Sequence, residues 1–443
     1  MSPTLTGGDA TLSPDELQEA WPLLVPEDKL VAFRSLDSSV ADDFFLSLSS
    51  RDQARLLLLL PPGERRLWLR LLPPDDAADL VQALPNEERE GALAQLEDVT
   101  AREVRALLAY SDDAAGGLMN PRYAVVRPDM TIDEAISYLR RQLKDRPGGL
   151  RYAYVIDPDQ RLIGVASFRE LLTAPAQQHV REMMQTQIVT VLDTMDQEEL
   201  SRLFARHHLI ALPVVDAEGR MKGVITADDI VEVVQEEATE DIQKIGGSEV
   251  LGAPYLQIGL LSMIRKRAGW LSALFLGEML TATAMGYFEE EIARAVVLAL
   301  FVPLVISSGG NSGGQATTLV IRAMALGEVR LMDWWRVIRR EFLSGVGLGA
   351  ILGTIGALRI VLWQALFHTY GAHAAAIAMT VGFSLVGVVM WGTLAGSMLP
   401  FLLRRLGFDP ASASAPFVAT LVDVTGLVIY FTTAKVVMTG GLL

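Results

Sequence analysis

Between residues 269 and 438 the chain carries five apolar runs, at 269–288, 294–316, 342–366, 374–399 and 415–438. Each holds about 20 residues or more, enough for an α-helix to cross about 30 Å of hydrocarbon at about 1.5 Å per residue. None shows an apolar stripe opposed by a charged face, so each is suited to be surrounded by lipid and other helices. The pattern predicts a five-helix membrane bundle over 268–443.

The front of the chain has the opposite character. Residues 1–250 hold 44 Asp and Glu against 25 Lys and Arg, whereas the rest holds 9 acids and 13 bases. The length of 443 residues suggests about three domains. There is no cysteine, which excludes disulfides, thiolate metal sites and cysteine nucleophiles. The start, MSPTLTGGDATLSPDELQEAW, is polar and acidic and does not read as a signal peptide; a flexible terminus is expected over 1–24.

Loop charges orient the spans. Arg265, Lys266 and Arg267 precede the first. Arg322, Arg330, Arg336, Arg339 and Arg340 lie between the second and third, and Arg404 and Arg405 between the fourth and fifth. All fall on one side, opposite Glu289, Glu290, Glu291 and the neutral HTYGAHA. The expectation is a multi-pass protein of the cytoplasmic (inner) membrane, with the acidic half inside and the C-terminus outside. Lys435, near the outer end, can snorkel.

Polar residues inside the spans then carry the argument. Asp423 sits mid-run in APFVATLVDVTGLVIYFTTA, where a charge costs about 2.5–3.5 kcal/mol on insertion scales. Ala419, Thr420, Thr425 and Gly426 lie within a turn of it, leaving room for water and close helix approach. That favours pore lining over a structural role. For Glu278 and Arg359 a structural ion pair inside the bundle is an equal reading. The second run, VPLVISSGGNSGGQATTLVIRA, sets Asn311 and Gln315 among two Gly–Gly pairs. It is either a packing seam or a broken turn whose carbonyls face a cavity. Carboxylate and amide oxygens suit a hard divalent ion such as Mg²⁺, held through its waters because it dehydrates reluctantly. A two-fold dimer would double the carboxylates on its axis.

The acidic half contains a repeat. YVIDPDQRLIGVASFREL (154–171) matches PVVDAEGRMKGVITADDI (213–230), aligning Asp157 with Asp216, Gly164 with Gly223 and Glu170 with Asp229. Each unit reads strand, acidic turn, strand, short helix, and a helical stretch precedes each. The pair resembles tandem CBS domains, expected at 118–180 and 181–243, which are regulatory modules that often take adenine nucleotides. Residues 25–117 read as short amphipathic helices opened by proline turns and acids, as in an all-α superhelix. Residues 244–267 are expected to form a linking helix along the membrane surface. The fold class is therefore multi-domain: an all-α membrane bundle with a cytoplasmic all-α superhelical domain and an α/β tandem CBS pair.

In this order the pieces resemble the MgtE family of magnesium channels over nearly the whole chain. The matching stretches are AGGLMNP (115–121), EEATEDIQKIGG (236–247), PLVISSGGNSGGQATTLVIRA (303–323), LPFLLRRLGFDPASASAPFVATL (399–421) and DVTGLVIYF (423–431). The resemblance implies a homodimer with a pore between subunits, Asp423 holding hydrated Mg²⁺, and closure by cytoplasmic Mg²⁺. It places sensor ligands at Asp75, Asp79, Asp216, Glu218 and Asp228, with Asp43 a looser match and Glu249 after the CBS pair. Asp193, Thr226, Ala227 and Asp228 stand where CBS pockets take contacts to ATP or another adenine nucleotide. Two departures stand out. Gly314 replaces an asparagine of the family's pore motif, and Val250, Leu251 and Gly252 follow Glu249 where the family often has acids.

The resulting expectation is a Mg²⁺ importer, closed by internal Mg²⁺, with membrane lipid as its surroundings and no nucleic acid partner. The alternative is a Na⁺- or H⁺-coupled transporter of Mg²⁺ or another divalent ion, for which Glu278 would be the titrating group. A membrane enzyme is disfavoured: His179, His207, His208, His368 and His373 form no ligand pattern, and no P-loop or nucleophile motif occurs.

Overall fold

The computed structural model describes residues 13–143, 151–252, 255–256, 258–294 and 296–438. These fall into two compact units, Met1–Glu236 and Glu237–Leu443.

The first unit opens with eight short helices: α1 (Pro14–Ala20), α2 (Pro26–Arg34), α3 (Ser38–Ser47), α4 (Ser50–Leu59), α5 (Pro62–Leu69), α6 (Pro74–Ala83), α7 (Asn86–Leu93) and α8 (Asp98–Leu107). Proline at the first helical position needs no N–H partner, so Pro14, Pro26, Pro62 and Pro74 start helices without loss. Pro61, Pro73 and Pro85 occupy the N-caps of α5, α6 and α7, ending what precedes them. Arg65 and Arg89 tie two of these turns by donating to the carbonyls of Leu60 and Leu58, and of Leu84 and Gln82. Inside lie Trp21, Phe45, Leu57, Leu69, Leu80 and Val104. Of the flexible terminus expected over 1–24, residues 1–12 lie outside the described residues. The remainder corrects that reading: Ser13 caps α1 in a capping box, and Trp21 is 2% exposed.

After α9 (Ala115–Leu118) come two equivalent α/β repeats. The first comprises β1 (Ala124–Val126), α10 (Ile132–Leu143), β2 (Tyr152–Ile156), β3 (Leu162–Ser167) and α11 (Phe168–Thr173). The second follows α12 (Val180–Met183) with β4 (Val191–Leu192), α13 (Gln197–His207), β5 (Ala211–Val215), β6 (Met221–Thr226) and α14 (Ala227–Ile245). In both, the first strand pairs parallel with the second, and the second antiparallel with the third. The aligned glycines serve packing. A Cβ on Gly223 would lie 2.8 Å from the carbonyl of Asn120, and one on Gly164 would run into Met184.

The second unit holds α15 (Leu260–Tyr287), α16 (Glu289–Arg294), α17 (Val296–Ala299), α18 (Val302–Ala325), α19 (Trp334–Phe367), α20 (Ala374–Arg405) and α21 (Ala415–Met438). Five spans are long and apolar enough to cross a membrane: Leu260–Tyr287, Val296–Ala325, Leu331–Phe367, Ala374–Arg405 and Ala415–Met438. The expected linking helix over 244–267 is corrected. The helix that starts after β6 ends at Ile245, Gly247 turns with φ of 73°, and among the described residues helix resumes at Leu260 as the first span. The broken-turn reading of the glycine motif is also overturned, because α18 is continuous from Val302 to Ala325. The glycines form the packing seam. A Cβ on Gly313 would sit 2.8 Å from the Gly392 carbonyl on α20 and 2.7 Å from Val418 on α21. The backbone break instead precedes α18, where Tyr430 donates to the Leu298 carbonyl at 2.8 Å.

Candidate functional site

Helices α15, α18 and α21 enclose an open cleft of about 1140 Å³. Asp423 reaches it from the middle of α21, Asn311 and Gln315 from α18, and Glu278 from α15. Ala419 lies one turn before Asp423 on the same face and keeps the cleft wide. Neither Asp423 nor Glu278 makes a hydrogen bond or ion pair with a described residue, so both carboxylates are available to water and cations. Asn311 donates only a long bond, 3.5 Å, to Ser307. Gly314 also lines the cleft, with Ala415 3.3 Å from where its Cβ would be, so a side chain there would project toward that wall.

Two small residues expected beside Asp423 lie off the cleft. Gly426 is buried against Ile306, Val388 and Val422, and Thr420 donates to the Pro416 carbonyl. Thr425 is engaged by Trp391 Nε1 at 2.7 Å. Glu278 and Arg359 form no ion pair with each other. Near the far end of α19, the Arg359 guanidinium carbon lies 4.9 Å from the Trp363 ring and 6.0 Å from the Phe301 ring.

A second polar site lies in the first unit. Asp75, Asp76 and Asp79 on α6 share an electrostatic neighbourhood with Asp228, Asp229, Glu232 and Glu236 on α14. None of the seven forms an ion pair with a described Lys, Arg or His. Burial and the negative neighbours push Asp76 up to about 6 and Asp79 up to about 7. Burial foremost, with Asp76 and Asp229 adding, also holds Asp75 well above the usual range; Asn120 donates to it at 3.1 Å. Asp229 is lifted by burial to about 6 although Thr226 donates both its N–H and its hydroxyl to it. Burial, then Glu236 and Asp228, raise Glu232.

Of the residues anticipated from sequence, Asp75, Asp79 and Asp228 meet here. Asp76, Asp229, Glu232 and Glu236 were not anticipated; their spacing of three and four along each helix is the signal that marks a shared face. Asp216 and Glu218 are engaged elsewhere, in the β5–β6 turn. Burial would raise Asp216, but hydrogen bonds from Arg220 and Lys222 outweigh it and bring the carboxyl to about 2. Glu218 pairs with Arg220. Asp43 is exposed on α3. Glu249 belongs to the second unit, where its N–H donates to the Lys266 carbonyl. In the CBS pair, Asp193 accepts from the Tyr110 hydroxyl at 3.2 Å.

Among the described residues, no three carboxylate or imidazole groups stand close enough to enclose one bare metal ion. The donor set of both sites fits a hard cation that keeps its waters: oxygens only, net negative and without a competing ammonium or guanidinium ion pair.

Five candidate membrane spans, three of them lining a polar cleft, joined in sequence to a helical acidic domain and two small α/β repeats, define a membrane transport protein with an N-terminal soluble part. The chain matches the divalent cation transporter model of the MgtE family over 302–433, the MgtE intracellular N domain over 12–113, and CBS domains over 115–177 and 180–236. It is 40% identical to the magnesium transporter MgtE of Thermus thermophilus, over 96% of this chain and 93% of that protein. It is 30% identical to that of Bacillus subtilis, over 85% and 82%. The solved cytosolic domain of the Mg²⁺ channel MgtE in complex with ATP is 39% identical, covering 50% of this chain and 90% of that one, with a TM-score of 0.47. This chain belongs to the MgtE family of magnesium transporters, and it is a transporter rather than an enzyme.

Proposed function

We propose that this chain is a Mg²⁺-selective channel of the cytoplasmic membrane. It imports Mg²⁺ as a homodimer and is closed when cytoplasmic Mg²⁺ binds its acidic cluster. The observation that carries the reading is Asp423. It is a carboxylate in the middle of a membrane helix, without a hydrogen bond or ion pair among the described residues, facing a wide cleft that two amide side chains also line. In this reading Asp423 attracts the hydrated ion and bonds to its waters, while Asn311 and Gln315 accept from the same shell. Thr420 and Gly426 flank the Asp423 face without lining the cleft and set how closely α21 packs. An inside-negative potential of 100 mV favours entry of a divalent ion by about 4.6 kcal/mol, at about 2.3 per charge.

The sensor reading rests on seven carboxylates that form no ion pair with a described Lys, Arg or His. At neutral pH they repel, and a cation between α6 and α14 relieves both repulsion and burial cost. Asp75, Asp76, Asp79, Asp228, Asp229, Glu232 and Glu236 are the proposed holders. Asp43, Asp216, Glu218 and Glu249 are kept as peripheral sensor positions by family resemblance alone. The CBS pair is read as the seat of an adenine nucleotide such as ATP. The N-terminal half is cytoplasmic and the C-terminus outside, by loop charge.

Glu278 favours a second reading, a Na⁺- or H⁺-coupled transporter, because it brings a second carboxylate to the cleft. Mg²⁺ entry into proteoliposomes, followed by a trapped fluorescent indicator, separates the two. Entry driven by a K⁺ diffusion potential, without Na⁺ or a pH gradient, supports the channel. Entry that requires either gradient supports coupling.

A further inference from the structure

Arg359 lies in a membrane span, away from the cleft, and the proposed ion path makes no use of it. It stands eight residues before the end of α19 at Phe367, about 12 Å along the axis. It also lies inside the third apolar run, 342–366, about 10 Å from the end of that run. Its side chain lies on an exposed, apolar surface, beside Leu358 and Leu362 at 62% and 52% exposure.

The surroundings of the guanidinium are built. His368 ends α19 in the left-handed conformation, φ 51°, with its N–H donating to the Gln364 carbonyl. The reversal brings back Tyr370, whose own N–H is fixed by Gln364 Oε1 at 2.8 Å. The Tyr370 hydroxyl then accepts from Arg359 Nη1 at 3.3 Å. Trp363, one turn along α19, presents its ring 4.9 Å from the guanidinium carbon, and Phe301 lies at 6.0 Å.

A guanidinium carries five N–H donors and is always charged. Among the described residues Tyr370 takes one of them, and no carboxylate lies within ion-pair distance. A fixed cation at this depth needs an acceptor, and the apolar surface around it excludes bulk water. Arginine reaches toward headgroups with its stem in the acyl region, and Trp and Tyr favour that level.

We propose that Arg359, with Tyr370 and Trp363, forms a binding site for the phosphodiester of a membrane phospholipid. The two unesterified oxygens of the phosphate match the guanidinium fork. The Tyr370 hydroxyl, while accepting from Arg359, has its own proton to donate to the same phosphate. The Trp363 ring, 4.9 Å from the guanidinium carbon, restrains the guanidinium by a cation–π contact before lipid arrives.

The test is native mass spectrometry of the full-length protein in detergent, titrated with phosphatidylglycerol. Arg359→Gln should retain one fewer lipid per chain, with apparent affinity lower by about tenfold or more. Arg359→Lys keeps the charge but not the fork and should fall between the two. Tyr370→Phe, which removes only the hydroxyl, should weaken retention by roughly threefold and carries the test if Arg359→Gln fails to fold. Inorganic phosphate at millimolar concentration should leave the bound lipid in place. Equal lipid retention by wild type and Arg359→Gln would overturn the proposal. So would displacement of the lipid by inorganic phosphate, which would mark a plain anion site.

Discussion

Replacing Asp79 with Asn should stabilise the protein when divalent ions are absent and blunt its response when they are present. Asp79 lies on α6, where burial, then Asp76, Asp229, Glu232 and Glu236, lift its carboxyl from 3.8 to about 7. The folded chain therefore holds this proton more tightly than the unfolded chain does. The stability tied to the proton is fully present below about 4 and is lost as pH rises through about 7. A rise of about three pKa units corresponds to about 4 kcal/mol. The burden is shared among coupled carboxylates, so removing one charge should recover roughly half, about 2 kcal/mol at pH 7.5. Asn keeps the shape of the protonated acid. The assay is thermal unfolding of the full-length protein in detergent, with EDTA and with millimolar Mg²⁺. The variant should melt higher in EDTA and gain less from Mg²⁺, and the two proteins should converge only as pH falls below about 4. A variant that melts lower in EDTA at pH 7.5, or that keeps the full Mg²⁺ gain, would refute the reasoning.

Other substitutions probe the scaffold. Gly313→Ala forces a Cβ within 2.8 Å of the Gly392 carbonyl and should cost about 1–3 kcal/mol in a detergent melt, whereas Gly347→Ala, with nothing within 4 Å, should stay near wild type. Tyr430→Phe leaves the Leu298 carbonyl without its 2.8 Å partner and should cost about 1–3 kcal/mol in the same assay. Lys244 links Asp409 at 2.6 Å and also Glu240; burial would lower its pKa, but these partners raise it. The pair is partly exposed, so Lys244→Met should cost no more than about 1 kcal/mol, while increasing protease cleavage between residues 246 and 252.

What the sequence could disclose depended on whether the signal was local. Span length is local, and the five apolar runs became five candidate spans. The repeat is local as well: its acidic turns and glycines became matched strand pairs with the same topology. Asp423 announced itself by cost alone. The orientation of its neighbours required the helix period. At about 100° per residue, Ala419 and Leu427 lie about 40° from Asp423, and both line the cleft. Thr420 and Gly426 lie about 60° away, enough to turn them aside. The acidic cluster was only half legible because α6 and α14 are far apart in sequence. Nothing local says that Asp76 will meet Asp229. Composition misled at 244–267. The apolar residues and basic end suited one surface helix, but Gly247 and Gly252 take positive φ and stop it.

The account turns on a cation passing Asp423. The most direct measurement is of single-channel currents in planar bilayers with Mg²⁺ as the permeant cation, for wild type and Asp423→Ala, while Mg²⁺ on the cytoplasmic side is stepped upward. The account predicts unitary currents in the wild type that close as Mg²⁺ rises, and none in Asp423→Ala protein of unchanged melting temperature. Wild-type currents that persist undiminished in folded Asp423→Ala would contradict it.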